Sequence, residues 1–276
     1  MYRHCPVFQG GQLVVYTASV IISLLLLCSP ALGGQQRQLC LKCHPSHYVA
    51  RGNCVSCHRG NPSAERTNVA HYRMIAGRFA AFTLGDVPVV KEGKRLLDQY
   101  ACRRCHVSGG RGNRLAASLD GAARKTAGEL VLSIRQPVAN MPDFALDDNR
   151  VTALVNVIFA GAQGHQTDQA APVRVHFNNT GKSGADIFST KCGSCHRLLS
   201  QRLGAVGTGD IGPNLSGLFS PYYPKTFRNG DSWTAVNLNA WLKNPREIRP
   251  WARMLPVTLT GLETKELESI MVVSPK

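Results

Sequence analysis

The sequence contains the pattern Cys-x-x-Cys-His four times, and this repetition constrains the fold and the function more than any other feature. The cysteine pairs are Cys40 and Cys43, Cys54 and Cys57, Cys102 and Cys105, and Cys192 and Cys195, followed by His44, His58, His106 and His196. The pattern is typical of covalent c-type haem attachment, in which two thiols add to the porphyrin vinyl groups and the next imidazole binds the iron. Zinc knuckles or dithiol redox motifs are the alternative, but a zinc ribbon needs no histidine directly after the second cysteine. We therefore predict four covalently bound haem c groups.

The remaining cysteines lie in an N-terminal leader. Of ten cysteines, only Cys5 and Cys28 fall outside the motifs. An apolar run from Leu13 to Cys28 precedes the small residues Ala31 and Gly33, which is typical of a cleaved export signal. An uncleaved N-terminal anchor is the second interpretation, and a lipoprotein cysteine at Cys28 is the third. We expect residues 1–33 to be a signal peptide or anchor, and the rest to be periplasmic, or membrane-associated and facing the periplasm, in a bacterium.

The chain is strongly basic, with 32 lysines and arginines against 17 acidic residues and a formal net charge of +15. Haem propionates reduce this excess without reversing it. A basic surface steers acidic redox proteins or anionic membrane surfaces toward the chain. Nucleic acid is the other common partner of a basic protein, and export argues against it. We predict redox protein partners with acidic docking surfaces, a possible membrane quinol-oxidising complex, and no nucleic acid.

The spacing of the motifs divides the chain into three haem-bearing segments. The first two motifs start 14 residues apart, whereas the third and fourth each have their own flanking helical patterns. We predict a mostly α-helical protein with a loop-rich dihaem module at 35–85, helical domains at 86–163 and 180–276, and a small, polar linker at 164–179.

The segment at 86–163 resembles class I cytochromes c. A helical pattern over 89–100 leads into the third motif, a glycine-rich turn follows at 109–112, and Met141-Pro-Asp-Phe precedes a final helix that opens at Asp147. The resemblance implies that Met141 is the far-side iron ligand opposite His106. The segment departs from the family at Asn113, where a Gly-Pro turn normally supports the near-side imidazole.

The segment at 180–276 resembles the same family in a longer form. Gly212-Pro213-Asn214-Leu215 matches the turn that orients the near-side histidine, and a helix over 238–244 precedes the methionine loop. The resemblance implies that Met254 is the far-side ligand opposite His196, followed by a closing helix over 259–272. One extra residue separates Met254 from the next proline.

The dihaem segment offers two further histidines, and it resembles the dihaem modules of multihaem cytochromes. His71 lies in a predicted helix over 68–82 that would lie over a haem, and His47 lies too close to His44 to reach the far face of the same iron. His47 could reach the neighbouring haem, and both histidines are candidate far-side ligands. The residues alone leave open which histidine serves which haem. His165 and His176 are expected to be solvated in the linker.

The predicted ligands fill every axial position. Four motif histidines with His47, His71, Met141 and Met254 give eight ligands for four irons, so no iron is left open for a substrate. The first hypothesis is therefore an electron carrier, with electrons entering through the bis-histidine haems and leaving through the histidine–methionine haems, whose potentials are higher. The alternatives are a peroxidase, nitrite reductase or sulfur-compound oxidase with one open haem, and a cytochrome subunit of a membrane quinol-oxidising complex.

Overall fold

Within the described part of the chain, helices form most of the regular secondary structure and two short hairpins add the strands. The computed structural model describes residues 38–138, 140–165 and 186–273. The α-helices are α1 (Cys54–His58), α2 (Thr67–Ala70), α3 (Pro88–Gln99), α4 (Leu119–Ala122), α5 (Ala127–Arg135), α6 (Asp148–Ala162), α7 (Ile187–Lys191), α8 (Ala235–Lys243), α9 (Pro245–Ile248) and α10 (Gly261–Met271). The 3-10 turns are Leu39–Lys42, Val49–Arg51, Gly77–Phe79, Ala81–Leu84, Cys102–Arg104 and Arg228–Gly230. Antiparallel hairpins pair β1 (Val107–Ser108) with β2 (Arg111–Gly112), and β3 (Leu198–Ser200) with β4 (Gly204–Val206).

The predicted leader at 1–33 and most of the predicted linker at 164–179, with His176, lie outside the described residues. Among the residues that are described, no helix is both long enough and apolar enough to cross a membrane.

The N-terminal region consists of short turns, and the continuous helix predicted over 68–82 is wrong. Helix α2 ends at Ala70, Arg73 has a left-handed φ of 56°, and the Ile75 amide donates to the His58 carbonyl at 2.7 Å. A left-handed residue cannot continue a right-handed helix, so the chain turns back toward the second motif. The 3-10 turns at Gly77–Phe79 and Ala81–Leu84 take the place of the expected helix.

The apolar side chains of this stretch pack into the core of the following segment. Ile75, Phe79 and Phe82 are buried in one cluster with residues of α3 and α6. Asn156, within α6, fixes the junction: its Oδ1 accepts from the Phe82 amide at 2.9 Å, and its Nδ2 donates to the Arg78 carbonyl at 2.8 Å. Residues 75–82 and 88–162 therefore share one hydrophobic core.

Helices α3 and α6 form the centre of the 88–162 segment, as the sequence pattern predicted. Leu96 and Leu97 of α3 are buried against α6. A Cβ atom on Gly93 would lie 2.2 Å from the Ala153 carbonyl oxygen, so the two backbones meet at a distance that only glycine permits. The Asp147 side chain caps α6 by accepting from the Arg150 amide at 2.8 Å, where the final helix was expected to open.

The C-terminal segment has its own core beneath α7, the β3–β4 hairpin, α8 and α10. Its most deeply buried residues include Phe188, Leu198, Leu218 and Ile270. The predicted closing helix is confirmed as α10, and Thr260 and Glu263 form a capping box at its start.

Candidate functional site

Each of the four motifs forms a single helical turn. In the first, third and fourth motifs the histidine amide donates to the carbonyl of the first cysteine, at 3.0, 3.0 and 2.9 Å, and the second motif is the whole of α1. Residues three and four apart lie on one side of such a turn, so both thiols and the imidazole can meet one ligand. None of the eight motif cysteines forms a disulfide in the described part of the chain, so both sulfurs of each pair are available for attachment.

Three motif imidazoles are oriented by a backbone carbonyl. Nδ1 lies 2.9 Å from the Ile75 oxygen in His58, 2.7 Å from the Ala117 oxygen in His106, and 2.8 Å from the Pro213 oxygen in His196. A hydrogen on Nδ1 that is donated to a carbonyl leaves the Nε2 lone pair free to bind a metal. The tautomer needed for iron ligation is therefore the one that the surrounding backbone selects.

A cavity of about 570 Å³ adjoins the third motif. Cys102, Cys105 and His106 line it together with Met141, so the predicted near-side and far-side ligands face one space. Burial raises the pKa of the Cys102 thiol to about 11 and lowers the pKa of the His106 imidazole from its usual value. The volume and the mostly apolar lining suit a planar macrocycle with two axial ligands.

The position of Asn113, where the class I resemblance fails, has a structural explanation. Ala117 supplies the carbonyl that a Gly-Pro turn supplies in the fourth motif. Asn113 instead donates through Nδ2 to the carbonyl of Arg104, inside the third motif, and to the Ser220 hydroxyl in the C-terminal segment, both at 2.8 Å. The departure therefore marks a contact between two segments.

The fourth motif is closely enclosed. His196 is buried, and a Cβ atom on Gly212 would lie 2.2 Å from the imidazole Cε1. Burial, followed by the charge of Asp186, raises the pKa of the Cys192 thiol to about 11. Met254 packs against the core of this segment, and the Trp241 indole Nε1 donates to its sulfur at 3.1 Å.

The four histidines of the N-terminal region form two pairs. The ring centres of His44 and His71 lie 6.0 Å apart, and those of His47 and His58 lie 5.7 Å apart. Two imidazoles on opposite sides of one metal have ring centres about 6 Å apart, since each metal–nitrogen bond is about 2 Å long. His47 and His58 also line one cavity of about 710 Å³, together with Cys54 and Cys57. Each predicted far-side histidine thus lies near a motif histidine at a spacing that fits a shared iron.

Comparison with known proteins gives a family for this arrangement. The family model described as cytochrome C oxidase, cbb3-type, subunit III matches residues 88–156. A cytochrome c from Stellaria longipes is 34% identical over 83 residues, which cover 26% of this chain and 71% of that protein. The chain belongs to the cytochrome c family. A cytochrome c from Cochliobolus lunatus is 32% identical over 83 residues, which cover 26% of this chain and 71% of that protein. No solved structure matches the chain significantly.

A cytochrome c domain implies covalently bound haem c and, through it, one-electron transfer. The helix-rich structure of this cytochrome, with its few short strands, agrees with that family.

Two functional contacts of this cytochrome were not found from the sequence. Arg59, directly after the second motif, donates to the Ala123 carbonyl at 3.1 Å, and its guanidinium lies 5.1 Å from the centre of the Phe159 ring. It thereby ties the second motif to the wall of the third motif's cavity, where Ala122 lies. Trp241 stood in the expected helix, but no pattern in the sequence linked its indole to Met254. His165 is exposed at the end of α6, as expected.

Replacing Trp241 by phenylalanine should lower the midpoint potential of one haem by up to about 40 mV. With Met254 as far-side ligand, the indole hydrogen bond would withdraw electron density from the sulfur and favour ferrous iron. The bond contributes about 1 kcal/mol and the potential changes by about 59 mV per tenfold change in equilibrium, so about 40 mV is the shift if the whole bond energy distinguishes the ferrous from the ferric state. A spectroelectrochemical titration measures the shift. Trp233→Phe is the matched control because its indole donates to Thr226 rather than to a ligand, and equal shifts in both variants would contradict the prediction.

Proposed function

We propose that this chain is an exported tetrahaem c-type cytochrome that transfers electrons between redox proteins. The observation that supports the proposal is that a motif histidine lies near a candidate far-side ligand in three of the four sites. His44 pairs with His71, His58 with His47, and His106 shares a cavity with Met141. A haem held from both faces has no free position for substrate, which suits electron transfer rather than catalysis.

The fourth site follows by resemblance to the third. We propose Met254 as the partner of His196, each already held by another group: the Pro213 carbonyl orients the imidazole, and Trp241 hydrogen-bonds the sulfur. The chemistry that haem supplies when bound is reversible one-electron exchange. The chain's own residues would attach it, orient both axial ligands and keep water from the fourth site, where Cys192 and His196 are buried.

The proposed axial ligands predict the direction of electron transfer through the cytochrome. Methionine–histidine ligation raises a haem potential relative to bis-histidine ligation. The end bearing the first two motifs is therefore the low-potential end, where we propose that electrons enter, and the segments at 86–163 and 180–276 form the high-potential end. The basic surface favours acidic partners, and residues 34–85 carry seven basic residues against one acidic residue.

A second candidate is a cytochrome subunit of a membrane-bound redox complex. The match of residues 88–156 to a family described as a subunit of cbb3-type oxidase favours it. An uncleaved leader would agree with a membrane complex. Fractionation of the native cells separates the two candidates: a carrier is recovered with the periplasm, whereas a subunit co-purifies with membrane proteins.

The proposal is tested by counting haems and open coordination sites. The intact mass of the exported protein should exceed the polypeptide mass by four haems, and a Cys40→Ala/Cys43→Ala variant should carry three. The reduced wild-type protein should bind no carbon monoxide. Any other haem count in the wild-type protein would refute the tetrahaem proposal, and stoichiometric carbon monoxide binding at one haem would favour an enzyme.

A further inference from the structure

The C-terminal segment contacts both sides of the third haem site. On the near side, Arg104 lies between the motif cysteines and donates through Nη1 to the Asn214 carbonyl at 2.9 Å. Its guanidinium also lies 5.6 Å from the centre of the Tyr223 ring. Gly217 has a φ of +72°, and a Cβ atom there would lie 2.5 Å from the Arg104 carbonyl oxygen. The two segments therefore meet at backbone distance.

On the far side of the third haem site, Asn214 also contacts the loop that carries Met141. The Asn214 side chain donates through Nδ2 to the carbonyl of Asn140 at 3.0 Å, and Asn140 is the buried residue directly before Met141. The Oδ1 of Asn214 accepts a hydrogen bond from the Ser216 amide at 2.9 Å, which holds the Asn214 side chain in place. Both atoms of this amide are thus in use, one to shape its own turn and the other to hold the loop of another segment.

Asn214 also directly follows Pro213, whose carbonyl orients His196 in the fourth motif. Two consecutive residues thereby bind groups beside two different haem sites. We infer that Asn214 is a positioning residue for Met141, so that methionine ligation in the 86–163 segment depends on the C-terminal segment. This inference rests on the proposed function, since it takes Met141 as an iron ligand.

Asn214 can affect the position of Met141 because the backbone carbonyl of the buried residue Asn140 needs a hydrogen-bond donor. In the methionine loop the Met141 amide is bonded to the Val138 carbonyl, and Val138 itself is exposed. The Asn140 carbonyl is bonded by Asn214, and a buried carbonyl that loses its donor carries a desolvation penalty. The loop would then relax toward water, and the sulfur would move with it.

Asn214→Asp tests this role in the full-length holoprotein. The variant keeps Oδ1 for the Ser216 amide but replaces the donor toward Asn140 by a carboxylate oxygen. The readout is the weak far-red charge-transfer absorption of ferric haem with sulfur ligation, followed during alkaline titration. We expect the band of one of the two haems to disappear at a lower pH than in the wild type, with the population lacking sulfur ligation raised roughly twofold to tenfold at a given pH.

Asn237→Asp is the matched control, because its Nδ2 also donates to a backbone carbonyl, that of Ser232 at 2.8 Å, but within its own segment. It carries the same charge change and should leave both bands at their wild-type pH. Equal profiles for wild type and Asn214→Asp would overturn the inference, as would equal shifts in Asn214→Asp and Asn237→Asp.

A second variant keeps the test decisive if Asn214→Asp does not accumulate. Arg104→Gln removes the near-side contact to the Asn214 carbonyl, and a shift of the same band in the same direction is expected. No shift in Arg104→Gln would then overturn the inference. A wild-type protein with fewer than two sulfur-ligated haems would instead refute the proposed ligand set, so the two failures are distinguishable.

Discussion

Replacing His71 by alanine is expected to make the reduced protein bind one carbon monoxide per chain, whereas the wild-type protein binds none. The His71 ring centre lies 6.0 Å from that of His44, the spacing of two imidazoles that share an iron. Alanine carries no ligand atom, so the far side of that haem would open to exogenous ligands. Carbon monoxide difference spectra, titrated to saturation, measure the stoichiometry.

The pairing itself can be tested by removing one haem. In a Cys40→Ala/Cys43→Ala background, which lacks the first haem, His71→Ala should bind no carbon monoxide. His47→Ala should still bind one in that background, because His47 pairs with His58 of the second motif. The reverse result would mean that the two far-side histidines are exchanged. His165→Ala is the control histidine variant and should bind none, since it is exposed outside the motif turns.

The motif turns were predictable because their chemistry is local. Two thiols and an imidazole within five residues need only one helical turn to face the same ligand, and the capping residue Asp147 fixes the start of its helix from within four residues. The helix over 89–100 was equally accessible because its apolar spacing matches a buried face.

The histidine pairing could not be derived from the sequence, because it depends on where the chain reverses. Tyr48, Arg59 and Arg73 all have positive φ values. None is a glycine or asparagine, the residue types from which a left-handed turn can be predicted in a sequence. Arg59 lies between the second motif and His71, where the chain reverses, and the His71 ring comes back to 6.0 Å from that of His44. Residues 75–82 were misassigned for the same reason, since apolar spacing does not say which core a side chain enters.

The contact between the segments at 86–163 and 180–276 could not be predicted from the sequence either. The Asn113 side chain bonds to Ser220, 107 positions away, and the Asn214 side chain bonds to Asn140, 74 positions away, so each bond joins different segments. Asn113 could be recognised as a departure from the class I pattern, but the pattern does not indicate what an asparagine at this position contacts. The structure supplies that role by placing Ser220 within hydrogen-bonding distance.

Gly212→Ala is expected to destabilise the C-terminal segment by crowding the buried His196 imidazole. The new methyl group would lie 2.2 Å from Cε1 and 2.5 Å from Nδ1 of His196, well inside van der Waals contact. The imidazole has no room to yield, because its Nδ1 is bonded to the Pro213 carbonyl and its neighbour Cys195 is a predicted attachment point. We expect the free energy of unfolding to fall by about 1–3 kcal/mol, the usual cost of overpacking.

The same substitution should change the spectrum of one haem only. A displaced imidazole weakens iron ligation, so one of four low-spin ferric signals should convert to a high-spin signal in electron paramagnetic resonance. Gly261→Ala is the control, since a Cβ atom there meets open space at the start of α10, and it should be neutral or stabilising by up to about 1 kcal/mol. Four unchanged low-spin signals in Gly212→Ala, with a denaturation midpoint equal to that of Gly261→Ala, would show that His196 does not hold an iron in the enclosed position that the structure gives it.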